Sequence, residues 1–110
     1  MAFDAAMQLF EISMSFPMEE RYSLTDQIRR SSRSVCANIA EAFRRRRYPK
    51  SFVSKLNEAE AESAETQSWI RFANKCNYLE SAKTESLIKI YDNIIGKLVT
   101  MENQPENWSI

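Results

Sequence analysis

Apolar and polar residues alternate along this chain with the period of amphipathic helices, in four stretches separated by short breaks. Phe3, Met7, Phe10 and Met14 recur at spacings of four, three and four, which places them on one face of a helix over 3–16 that stops before Pro17. The start is abrupt, because Phe3 already belongs to the stripe. Leu24, Ile28, Val35, Ile39 and Ala42 trace a second face over 24–46, with Ser31 or Ser32 filling the missing turn. Small residues there predict close approach of a neighbouring helix. Ser23 is a candidate N-cap, and Asp26 stands near the positive end of that helix's dipole. Tyr48-Pro49 ends this segment and starts the next, since proline is tolerated in a first helical turn.

The third segment, 50–77, carries Phe52, Leu56, Ala59, Ser63, Thr66, Ile70 and Ala73 in an unbroken alternation of fours and threes with a small, polar middle. Trp69, Phe72 and Cys76 add a second stripe near its end, predicting contact with more than one neighbour. Asn77-Tyr78 closes it. The fourth segment, 81–101, has Glu80 or Ser81 as its cap and presents Leu87, Tyr91, Ile94, Leu98 and Met101 on one face. Ile88, Ile95 and Val99 lie beside them, an apolar arc wider than one core needs and therefore suited in part to another subunit. Gly96 stands inside this helix, where it costs about 1 kcal/mol relative to alanine, and predicts a place where another backbone comes near.

Connections too short to cross a bundle predict an all-α, antiparallel up-down-up-down four-helix bundle over 1–101, followed by a polar, flexible tail at 102–110 from which Trp108 could dock. At 110 residues the chain has the size of one domain. With three prolines and one glycine it also lacks the turn residues of an all-β fold.

Composition removes whole classes of chemistry. The chain has no histidine, which excludes Ser/His and Cys/His nucleophile pairs, His-ligated zinc and an imidazole acid or base near neutral pH. One glycine cannot build a phosphate-cradling loop. Serines 31, 32 and 34 have no visible base, and Cys36 and Cys76 lack metal-site spacing and read as free, partly buried thiols. An all-carboxylate magnesium site is the remaining metal chemistry; Glu62-x-x-Glu65 resembles half of the site of the all-α nucleotide pyrophosphohydrolases, but the second half is missing, as Glu85 and Asp92 are seven apart. No enzyme activity, cofactor, metal or small-molecule substrate is expected. An acidic start without a signal pattern, and no apolar run of about 18 residues, point to the cytoplasm and away from a membrane.

Fifteen basic and fifteen acidic residues sum to zero, but in blocks. Residues 1–20 hold four acids and no base, 21–55 hold ten bases against two acids, and 56–110 hold five bases against nine acids. At about 100° per residue, Arg29, Arg33, Arg44 and Arg47 fall within about 60° of one another and Arg30 near 100°, whereas the apolar set lies at about 220–280°. A helix regular to Arg47 would carry these as a ridge opposite the core, suited to the phosphates of RNA or DNA. The candidate nucleic-acid-binding residues are Arg29, Arg30, Arg33, Arg44, Arg45, Arg46, Arg47 and Lys50. The competing possibility is that Glu58, Glu62 and Glu65, on one face of the next helix, pair with some of these arginines and leave a protein-interaction scaffold with no nucleic-acid role.

The run Phe16-Pro17-Met18-Glu19-Glu20-Arg21-Tyr22-Ser23-Leu24-Thr25-Asp26-Gln27-Ile28-Arg29-Arg30, followed by Ser34-Val35-Cys36-Ala37-Asn38-Ile39-Ala40-Glu41, resembles the family of 23S rRNA intervening-sequence proteins, and the remaining helices fit its order. The resemblance implies a small bacterial four-helix bundle, usually a homopentamer, without accepted enzymatic activity. It also implies kinship with the accessory proteins of diversity-generating retroelements, pentameric barrels thought to bind nucleic acid through a basic surface. Arg29 and Arg30 match the family's paired arginines, and Asn38 and Glu41 its NIAE segment, for which a packing or capping role is expected. Ala42 replaces the usual glycine, predicting that the second helix runs on through Arg44, and Ser31 and Ser32 replace common alanines, predicting a more polar seam. The family's leader before the first helix is absent, which predicts a shortened start and a first helix that packs less completely.

Overall fold

Four helices account for most of the chain in a computed structural model that describes residues 1–109: α1 (Ala2–Ser13), α2 (Leu24–Arg44), α3 (Pro49–Lys75) and α4 (Ser81–Asn103). Short 3-10 turns, Met18–Glu20 and Pro105–Trp108, precede α2 and follow α4. Side-chain contacts fix the directions. Arg29 reaches Ser13, Thr66 reaches Ser31, Lys55 reaches Glu41, and Gln67 reaches Ile88 whereas Asn57 reaches Glu102. Residue numbers rise on one helix as they fall on its neighbour, so the helices run up, down, up, down in an antiparallel four-helix bundle.

The core follows the α3 stripe. Phe52, Leu56, Ala59, Ser63, Thr66, Ile70 and Ala73 are all buried, facing Leu24, Ile28 and Val35 of α2 and Leu87, Tyr91 and Leu98 of α4. Ser31 and Ser32 are buried too, and the Ser31 and Thr66 hydroxyls share a hydrogen bond of 2.8 Å across the α2–α3 seam. Small residues here let the two helices close on each other, and the hydroxyls satisfy one another. Gln67 ties α3 to α4 by donating to the Ile88 carbonyl at 3.1 Å and to Asp92 Oδ1 at 2.9 Å.

Helix boundaries are set by local chemistry. Ser23 occupies the N-cap of α2 but its hydroxyl donates to Glu20 Oε1 at 2.7 Å, and it is that carboxylate oxygen that accepts from the Leu24 amide at 3.3 Å. Glu20 therefore does the capping expected of Ser23. Its other oxygen accepts from the Tyr78 hydroxyl at 3.0 Å, joining the start of α2 to the α3–α4 turn. Pro49 is the first residue of α3. Asn77, at φ 64°, ends α3 in a left-handed cap in which the Tyr78 amide donates to the Ala73 carbonyl and the Asn77 amide to that of Asn74.

Four expectations are corrected. The stripe of Phe3, Met7, Phe10 and Met14 does not face the core: Phe3 is 68% exposed and Met14 64%, while Ala5, Ala6, Leu9 and Ser13 are buried. The small alanines let α1 lie close against α2 and α4, and α1 ends at Ser13 instead of residue 16. Arg44 is the last residue of α2, as Ala42 led us to expect, but Arg45 to Tyr48 form a turn and the helix does not reach 46. Helix α3 contacts both α2 and α4, as its two stripes suggested, although Phe72 and Cys76 of the second stripe are exposed and Trp69 is half-buried. Among the described residues Gly96 has no atom near enough to meet a Cβ, so none of their backbone approaches it.

Beyond α4 the chain turns back, and Trp108 stacks edge-on to Phe43 with ring centroids 6.1 Å apart. Ile110, the last residue of the expected tail, lies outside the described residues. No helix among the described residues is long and apolar enough to cross a membrane.

Candidate nucleic-acid interface

The arginines anticipated on α2 divide into two zones. Arg33 and Arg44 are eleven residues apart, or about 16 Å along the helix, and the exposed residues between them are Ala37, Ala40 and Glu41. Glu41 is itself paired with Lys55 at 2.9 Å. The continuous ridge is therefore interrupted, and Arg47 leaves it altogether because the helix has ended.

In the first zone Arg29 folds down onto α1. Its Nε donates to Ser13 Oγ at 2.8 Å and Nη2 to the Phe10 carbonyl at 3.4 Å, where the last carbonyls of α1 favour a cation. The Phe10 ring lies between two guanidinium groups, 4.7 Å from that of Arg29 and 5.6 Å from that of Arg33. Arg30 bridges to α3: Nη1 reaches Glu62 Oε2 at 3.0 Å and Nη2 contacts Glu65. The hydrogen bond that Arg30 donates to Glu62 raises its pKa further. This is the pairing that the spacing of Glu62 and Glu65 suggested, and it neutralises Arg30; Glu58 pairs instead with Lys55 at 3.2 Å. Arg21, which the helical projection omits because it precedes α2, joins Thr25, Asp26, Arg29, Arg30 and Arg33 around a surface hollow of about 500 Å³. The clue to it was its place in the same basic block.

The second zone is the α2–α3 turn. Arg45 Nη1 donates to Ser51 Oγ at 3.1 Å, and Arg46 Nε donates to the Phe43 carbonyl at 2.9 Å with its guanidinium 5.5 Å from the Phe43 ring. These bonds hold the turn in shape and leave both groups charged. Arg44, Arg47 and Lys50 are exposed, and none of them has an ion-pair partner among the described residues. Guanidinium groups free of carboxylates can grip phosphate oxygens two at a time, and a turn bearing five cations in seven residues concentrates that capacity.

Asn38 makes a local contact and Glu41 a contact between helices: Asn38 Nδ2 donates to the Ser34 carbonyl at 3.0 Å, within its own helix, and Glu41 holds Lys55 of α3. Glu62 and Glu65 are occupied by Arg30, and no three acidic or cysteine side chains among the described residues converge as a metal site. Cys36 is half-buried, and burial pushes its thiol up, away from the reactive thiolate.

A solved structure of a protein of unknown function from the S23 ribosomal protein family of Bacteroides thetaiotaomicron matches the fold with a TM-score of 0.82 at 25% sequence identity, covering 92% of this chain and 94% of that one. None of the curated proteins compared with the chain shows significant similarity. The family model described as 23S rRNA-intervening sequence protein matches residues 1–100, and the chain belongs to that family.

Proposed function

We propose that this protein is a non-enzymatic, self-associating cytoplasmic bundle that binds the phosphate backbone of RNA or DNA through its basic zones. The observation that carries this function is the α2–α3 turn, where Arg44, Arg47 and Lys50 stand in solvent with no acidic partner among the described residues. Contacts of this kind bind by charge and shape and carry little base information. Self-association is supported by the uncovered Phe3, Met7 and Met14 of α1, with the homopentamer implied by the sequence resemblance as the proposed assembly. The alternative function, a protein-interaction scaffold whose arginines form salt bridges and have no nucleic-acid role, is supported among the described residues at Arg30, through Glu62 and Glu65.

The test is to titrate a labelled RNA and a labelled DNA duplex at low salt with the wild type and with Arg44→Ser/Arg47→Ser/Lys50→Ser, and to sediment both proteins. Binding lost in the variant with the assembly intact supports the function. An assembly that falls apart in the variant favours the scaffold, and a wild type that binds neither nucleic acid overturns the proposal.

A further inference from the structure

The basic turn is bordered by two aromatic rings in water. Tyr48 lies between Arg47 and Lys50, is 64% exposed, and its hydroxyl has no hydrogen-bond partner among the described residues. Trp108 comes from the other end of the chain, outside the residues that the family model matches, and remains 40% exposed although it is docked. Phe43 anchors it, and the same Phe43 ring carries the Arg46 guanidinium 5.5 Å away. The turn Pro105–Trp108 holds the indole in place, with the Asn107 amide donating to the Gln104 carbonyl at 3.1 Å. A shallow hollow of about 460 Å³ beside the turn is lined by Pro49, Lys50, Val53, Ser54, Asn57 and Pro105, and Trp108 borders a separate hollow with Gly96, Lys97 and Thr100 at the same end of the bundle.

A tryptophan that served only to cover Phe43 has no need to keep so much of its surface in water. Exposed aromatic rings beside cations are the combination that single-stranded nucleic acids bind: cations follow the backbone while unpaired bases stack on the rings. Bases in a duplex are already stacked on each other and present only their edges. We propose that Tyr48 and Trp108 form a stacking platform beside Arg44, Arg47 and Lys50, so that the protein prefers an unpaired strand to a duplex; this rests on the phosphate-binding function proposed above.

The experiment uses Trp69→Phe, which leaves Trp108 as the sole indole of the chain's two. The variant is titrated with a single-stranded oligothymidylate and with a DNA duplex of equal phosphate count, following indole fluorescence and the anisotropy of the labelled nucleic acid. The single strand is expected to quench Trp108 and to bind more tightly than the duplex. Tyr48→Ala, at an exposed position without a side-chain hydrogen bond, is expected to weaken single-strand binding roughly tenfold and duplex binding hardly at all. Trp108→Leu is expected to act in the same direction, and Tyr48→Ala keeps the test decisive if the C-terminal turn loosens. Equal affinity for both forms, without quenching and without an effect of Tyr48→Ala, overturns the platform and leaves backbone binding standing. Failure of both forms to bind at low salt overturns backbone binding, and the platform with it.

Discussion

Ser31 and Thr66, both fully buried, share a hydrogen bond of 2.8 Å at the centre of the α2–α3 seam. Thr66 Oγ1 also reaches the Glu62 carbonyl of its own helix at 2.8 Å, so removing Thr66 strands the Ser31 hydroxyl, whereas removing both leaves nothing unsatisfied. Thr66→Val is therefore expected to lower unfolding stability by about 1–3 kcal/mol, and Ser31→Ala/Thr66→Val to recover much of that loss. Urea denaturation of the single and double variants checks it; a double variant weaker than the sum of the singles contradicts it.

Glu20 accepts hydrogen bonds from Ser23 and Tyr78. The bond from Ser23, then that from Tyr78, holds its carboxyl below the ordinary 4.5, and the bond to Glu20 pushes the Tyr78 hydroxyl up to about 12. The depressed Glu20 stabilises the fold above its unfolded pKa, and this contribution is lost as pH falls through the folded value. The raised Tyr78 stabilises the fold below its unfolded value of 10.0, and this is lost as pH rises through about 12. Tyr78→Phe is expected to melt below the wild type at neutral pH, with the gap closing in acid and in alkali. Thermal midpoints in acid, neutral and alkaline buffers measure the gap, and one that stays constant with pH rules this linkage out.

Gly96 lies within α4, and no atom of the described residues comes within 4 Å of where a Cβ would sit. Gly96→Ala is expected to stabilise the folded chain by about 0.5–1 kcal/mol through helix propensity. A lower denaturation midpoint in the variant would show that something other than the described residues occupies that space.

Legibility followed how extensively each helix is covered by its neighbours. Helix α3 packs against both α2 and α4, so its burial falls on one stripe, and Phe52 to Ala73 could be read directly from spacing. Helix α1 carries two stripes of equal periodicity. Side-chain bulk favours Phe3, Met7 and Met14, but the room left beside α2 and α4 selects Ala5, Ala6 and Leu9, and that room is a tertiary property. At the site, the Glu62 and Glu65 spacing revealed the pairing of Arg30, because antiparallel neighbours share a register. The break after Arg44 was hidden, since arginines continue the helical pattern through a turn held by Ser51 and the Phe43 carbonyl. Docking of Trp108 on Phe43 joins residues 65 positions apart and has no local signal.

The uncovered α1 stripe has its own consequence for assembly. Phe3→Ser/Met7→Ser/Met14→Ser is expected to convert the protein to a species of the chain mass, 12.8 kDa, without loss of unfolding stability, because these side chains lie outside the core. Sedimentation equilibrium reads the mass directly. A wild type that is already monomeric at micromolar concentration contradicts the self-association proposed.

The salt dependence of binding tests the central claim most directly. Each phosphate neutralised on a single strand contributes about −0.7 to the slope of log affinity against log salt. If Arg33, Arg44, Arg47 and Lys50 each hold one phosphate, the expected slope is roughly −3 per protomer engaged, becoming shallower by about 0.7 for each of them changed to serine. A slope near zero, or one unchanged when all four are replaced, contradicts the claim that these residues hold a nucleic-acid backbone.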